Sequence, residues 1–213
     1  MAGDPDLAEY DHLRGEIDNR TTLAYGLIAL QLAALGAGLS AADKLPEILL
    51  GLAMVSSFLW VFWMDHTGQI FKIAAYIALR LAPRLRGATP DALGWERFFR
   101  DLDAGAVPEW TNLARGRFPV HTTGSVHLYT GALFGVPPPA FLVAYLVSGV
   151  HGSGGGEALR WAGVAAALVL WIATILRFRV YLRMIDAIGD MIRPPGDAGT
   201  TAATPQGQSG PAA

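Results

Sequence analysis

The chain has 213 residues, of which 52% are hydrophobic and only 16% charged, with a mean hydropathy of +0.34 and a formal net charge of −2. Long apolar runs alternate with segments that hold nearly all the Lys and Arg, which is how a bilayer rather than water partitions a chain. Cysteine is absent, which excludes disulfides, thiolate nucleophiles and Cys-ligated metal centres, and the basic residues sit where membrane anchoring explains them, so no nucleic-acid partner is implied.

Taken in order, residues 1–19 are polar and carry Asp4, Asp6, Glu9 and Asp11, with Arg14 and Arg20 just before the first apolar run. A signal peptide would reverse that order, so the first apolar segment is expected to stay as a membrane helix. Charges at helical spacing over 10–20 predict a helix that leads into it. The first span, about 22–40, is uncharged and near the ~20 residues a bilayer core requires. Ala41-Ala42-Asp43-Lys44, with Pro46 beyond, predicts a tight turn into the second span at about 48–64, which ends on Asp65-His66. An ionisable pair at that depth is expected to have partners, and nearby arginines are the expected ones for Asp65. Adjacent residues do not share a helix face, so the pair is no acid–base dyad.

Residues 68–83 show helical periodicity: Ile70, Ile73, Ala74, Ile77 and Leu81 form an apolar stripe, while Gln69, Lys72, Tyr76 and Arg80 lie mostly on another face. The pattern predicts an amphipathic helix ending at Pro83, either flat on the membrane or continuing the second span against neighbouring segments. A second amphipathic stretch at 91–103 contains Trp95 and Glu96, and Trp95 and Trp110 suit anchoring at headgroup level. The third span, about 128–150, is interrupted by Pro137-Pro138-Pro139. It is expected to cross as a kinked or partly unwound helix, with a re-entrant first half as the alternative. The fourth span, about 161–176, is bracketed by Arg160 and Arg177, and 178–188 can prolong it. The 194–213 tail, rich in Pro, Gly, Thr and Ala, is expected to be disordered.

The expected fold is therefore all-α: one four-helix membrane domain over 1–193, with a cytoplasmic loop at 65–127. All basic residues except Lys44 and Arg160 then fall on one side, which the positive-inside rule makes the cytoplasm, with both termini there. Small residues in the spans, including Ala29, Ala33, Gly36, Ser57 and Gly163, permit close helix contact, within the bundle or in a homo-oligomer. No span carries a central charge, and the sequence lacks the paired broken helices of a classical secondary transporter. The histidines match no metal motif, and no catalytic, nucleotide or cofactor signature is complete.

Glu16-Ile17-Asp18-Asn19-Arg20, Trp63-Met64-Asp65-His66, Tyr76-Ile77, Leu81-Ala82-Pro83 and Gly94-Trp95-Glu96 together resemble a group of small bacterial multi-pass membrane proteins with no assigned activity. The resemblance covers roughly residues 9–100. It implies a bacterial plasma membrane location and makes Asp65, His66, Tyr76, Trp95 and Glu96 first candidates for function; Lys72 and Arg80 join them on the polar face of 68–83. The expected role is non-enzymatic, a cytoplasmic surface that senses, scaffolds or recruits a protein partner. The alternatives are an oligomeric channel-like or membrane-perturbing effector in stress or defence, and then a small-solute transporter or membrane enzyme.

Overall fold

The structure is a computed structural model that describes residues 5–42, 44–88, 123–149 and 156–192. Among these residues every regular element is helical: α1 (Pro5–Ala42), α2 (Glu47–Tyr76), a π-helical turn (Ile77–Leu81), α3 (Ala82–Ala88), α4 (Thr123–Gly135), α5 (Pro137–Gly149) and α6 (Glu157–Ile192). The expected 91–103 helix with Trp95 and Glu96, Trp110, and the 194–213 tail lie outside the described residues.

Among the described residues four stretches are long and apolar enough to cross a membrane: Pro5–Ala42, Glu47–Leu85, Tyr129–Val147 and Glu157–Gly189. Half of the apolar window of the second is buried inside the chain, against about a tenth for the first and fourth, so α2 is the central helix and α1 and α6 flank it. The outward faces carry Leu30, Phe62, Val169 and Leu176, each more than half exposed. Such a girdle is a liability in water and a necessity in hydrocarbon. The chain is a multi-pass, all-helical membrane protein.

The helices alternate in direction. α1 and α2 are joined by the expected short turn, in which the Lys44 and Leu45 amides donate to the Ala41 carbonyl at 3.1 and 3.2 Å. At the far end of the same pair, Tyr10 of α1 packs with Ile77, Leu81 and Leu85. A Cβ on Gly131 would lie 2.8 Å from the Phe178 ring, one on Gly163 would lie 3.2 Å from Leu50, and Phe141, Leu142 and Tyr145 pack with Leu49, Leu52 and Ala53, which orders α4, α5 and α6 against α2. The start of α1, the end of α3, the start of α4 and the end of α6 thus share one end of the bundle. This basic end includes Lys72, Arg80, Arg84, Arg177, Arg179 and Arg183.

Length makes that end project. With 38 residues, α1 is about 57 Å long, and α6, with 36, is about 54 Å. A hydrocarbon core takes up only about 30 Å. The expected continuation of the second span is present: α2 runs unbroken to Tyr76 and packs its apolar stripe on Leu13 and Ile17 of α1.

Pro83 corrects the expected boundary, because the helix passes through it into α3 rather than stopping. A proline ring clashes with the carbonyl four residues earlier and supplies no amide hydrogen. The turn before it widens accordingly, and the Ala82 amide donates to the Ile77 carbonyl, five residues back. The insertion also resets the helical phase. In a regular helix Ile77 and Leu85, or Tyr76 and Arg84, would point about 80° apart; one extra residue in a π turn brings each pair to within roughly 20° of alignment.

The proline triplet produces the expected kink, between α4 and α5. Helical bonds bracket it, from the Val136 amide to the Ala132 carbonyl at 3.0 Å and from the Ala140 amide to the Val136 carbonyl at 3.3 Å. Pro137, Pro138 and Pro139 withhold the donors that an α-helix would supply to the carbonyls of Leu133, Phe134 and Gly135. The Trp171 indole of α6 donates to the Gly135 carbonyl at 3.0 Å, so a neighbouring helix serves one of the freed acceptors.

Candidate functional site at the basic end

The projecting ends of α1 and α2 are clasped by a polar cluster. The Tyr76 hydroxyl donates to one oxygen of Glu9 at 2.7 Å, and Arg84 donates to the other at 2.9 Å. Arg84 also lies 3.5 Å from Asp6. The π turn is what lets Tyr76 and Arg84 reach one carboxylate together. Within the Glu47–Leu85 stretch, Tyr76 lies twelve residues, about 18 Å, beyond Met64, where the uncharged run ends. Its hydrogen bond to Glu9, and next its desolvation, hold the phenol above the ordinary 10.0. Because the folded value is raised, the clasp is complete below pH 10.0 and is lost as alkali carries the phenol through its raised pKa. Glu9→Gln keeps the shape and removes the nearer of the two carboxylate charges that Arg84 faces. Amide exchange over 5–12 and 82–88 should quicken several-fold while the bundle's thermal midpoint stays put; unchanged exchange would show that apolar packing alone holds these ends.

Beneath the clasp, where the uncharged run of α2 ends, lies an aromatic nest. The Tyr181 hydroxyl donates to Thr67 at 2.9 Å, and Thr67 donates to the Trp63 carbonyl at 2.8 Å. His127 Nδ1 is 3.3 Å from the same phenol oxygen. With the phenol proton committed to Thr67, Nδ1–H donates to Tyr181 and Nε2 keeps its lone pair. That Nε2 is buried with no hydrogen-bond partner. Trp63, Phe71 and Tyr181 surround the imidazole with ring centroids 6.0, 5.4 and 5.7 Å away. Burial holds His127, which stands just before the apolar run that opens at Tyr129, below the ordinary 6.5. Gly68 admits the approach of α6, since a Cβ there would meet Met184 at 3.3 Å and Tyr181 at 3.8 Å.

The residues singled out from sequence are dispersed over this end. Asp65 finds an arginine as expected, Arg177 at 3.9 Å, but both are about half exposed and such a pair contributes little. His66 is half-buried and its Nδ1 has no partner; no bond joins it to Asp65 among the described residues. Tyr76 belongs to the clasp, while Lys72 and Arg80 are exposed on its flank. Ser57 is buried and donates to the Ala53 carbonyl at 2.9 Å, and Gly163 meets Leu50. Ala29, Ala33 and Gly36 are exposed along the outer face of α1, and a Cβ on Gly36 would meet nothing within 4 Å.

Glu9, Arg84, Thr67, His127 and Tyr181 did not stand out in the sequence as site residues. Tyr181 and Thr67 are 114 positions apart, and only the fold joins them. Among the described residues no group of three or more His, Asp or Glu is placed to hold a metal ion. No protein-family model, curated protein or solved structure matches the chain, so the functional reading rests on the residues themselves.

Proposed function

We propose that the protein is a non-enzymatic bacterial plasma-membrane protein that crosses four times with both termini in the cytoplasm, its basic end forming a surface that recruits a protein partner. The projection of that end carries the reading. α1, α2 with α3, and α6 all run well past the length a bilayer needs, and a clasp of Glu9, Tyr76, Arg84 and Asp6 braces two of them there. Lipid anchoring alone requires no such stalk. The positive-inside rule turns the basic end to the cytoplasm, and Lys72 and Arg80 on the exposed flank suit an acidic partner face. The bundle interior is filled by Trp60, Phe134 and Tyr145, each at most 2% exposed, which favours an anchor over a conduit through one copy.

The absence of native cysteine makes the topology directly readable. A cysteine at Lys44 should react with a membrane-impermeant maleimide in intact cells, and one at Gly87 only after permeabilisation; the opposite pattern would overturn the orientation. A photo-crosslinking side chain at Lys72 or Arg80 should trap a discrete cytoplasmic protein, and the adduct should vanish when the neighbouring cation is replaced by glutamate. Crosslinks to lipid alone at both positions would remove the recruitment role.

One feature favours a second reading, an oligomeric membrane-perturbing effector. The exposed Ala29, Ala33 and Gly36 leave a smooth face on α1 against which another copy fits closely. Dye leakage on expression, lost in Gly36→Leu, would select this reading over the first.

A further inference from the structure

The outward face of α6 changes character along its length in a fixed order. Val169, Ile172 and Leu176 are exposed, and beyond them Arg179, Arg183 and Asp186 are exposed as well. At about 3.6 residues per turn all six fall within an arc of about 100°, on the side away from Ala167, Thr174 and Tyr181, which are buried in the bundle. One stripe thus runs from apolar through cationic to acidic.

The depth of the change follows from length. Residues 161–176 carry no charge, which makes about 24 Å of helix against a hydrocarbon core of about 30 Å. Arg179 and Arg183, about 4.5 and about 10.5 Å beyond Leu176 along the axis, therefore stand at the level of lipid phosphates. Two guanidinium groups one turn apart on one face can close on a single phosphate from both sides, with forked N–H donors that suit its oxygens. The bundle does not supply the anion. Among the described residues neither arginine forms an ion pair, whereas Arg177, about 100° around the helix from Leu176, has Asp65 and Arg84 has Glu9 and Asp6. Cations on a lipid-facing stripe are costly without a counter-charge, and phosphate is the anion at that depth.

We propose that Arg179 and Arg183 hold the phosphate of one anionic phospholipid, whose acyl chain lies along Leu176, Ile172 and Val169. Asp186, about one turn further out on the same stripe, weakens the hold on a negative headgroup. Multi-pass insertion is all the proposal needs; it stands apart from the recruitment role, which is assigned to Lys72 and Arg80.

The test uses the full chain purified in detergent and incubated with equal amounts of phosphatidylglycerol and phosphatidylcholine of the same acyl composition, with retained lipid read by native mass spectrometry. One phosphatidylglycerol should be retained preferentially. Arg179→Gln and Arg183→Gln should each lower its retention roughly fivefold, with the lipid-free thermal midpoint unchanged. Arg177→Gln removes the same charge from another face and should lower retention by no more than about twofold. Asp186→Asn should raise it, a gain that misfolding cannot produce. Equal retention of the two lipids by the native chain would overturn the proposal. So would a loss in Arg177→Gln as large as that in Arg179→Gln, which would reduce the site to net charge, or a loss in Asp186→Asn, which would mean that the carboxylate holds a cationic headgroup.

Discussion

Replacing Gly135 with alanine should destabilise the bundle by about 1–3 kcal/mol, read as a lower thermal midpoint in detergent. A Cβ there would stand 2.7 and 2.9 Å from Cη2 and Cζ3 of Trp60. That ring is 2% exposed and rests 4.9 Å, centroid to centroid, from Phe178, so it has nowhere to swing. The backbone cannot retreat freely either, because Trp171 holds the Gly135 carbonyl. Trp60→Phe removes the colliding atoms and leaves the rest of the side chain. The double variant should therefore lose less than the sum of the two single changes, the signature of residues in contact. Strict additivity would mean that Trp60 is not what confines Gly135.

Tyr181→Phe should cost about 1–3 kcal/mol, because it leaves His127 buried with neither ring nitrogen partnered. The same nest should make the structure sensitive to acid. Among the described residues the rings packed on His127 are Trp63 and Phe71 from α2 and Tyr181 from α6, none of which compensates an imidazolium with a carboxylate. A histidine whose folded pKa is lowered contributes stability that is complete above its ordinary 6.5 and is lost as pH falls through the lowered value. The thermal midpoint should decline from neutral pH toward pH 5, and His127→Leu, which cannot titrate, should flatten the decline. A pH profile identical in the variant would assign the acid sensitivity to other groups.

Much of the architecture was legible from periodicity and charge. The uncharged runs of near-bilayer length, the turn around Ala41 to Pro46, the kink at Pro137 and the prolongation of the fourth span each follow from local composition. Pro83 was misleading for a physical reason. Its usual meaning as a helix stop assumes an α-helical turn before it, whereas the chain takes a π turn held by packing on Tyr10 of α1. The site was less legible still. Tyr76 and Asp65 could be suspected from their position past the second span, but the Glu9 that bonds Tyr76 lies 67 positions away. His127 looked like one of five scattered histidines until α2 and α6 closed around it. The crowding at Gly135 is equally non-local, since a glycine in an apolar run does not say which ring will lie against it.

The bond from Trp171 to the Gly135 carbonyl also implies an order of assembly. Carbonyls freed by the proline triplet are costly in lipid with no donor beside them, and the donor here arrives 36 residues later. During synthesis the third apolar segment should lack this donor until the fourth has been made. The two should therefore leave the insertion machinery as a unit, and a chain cut short before Trp171 should strand the third segment at the membrane surface.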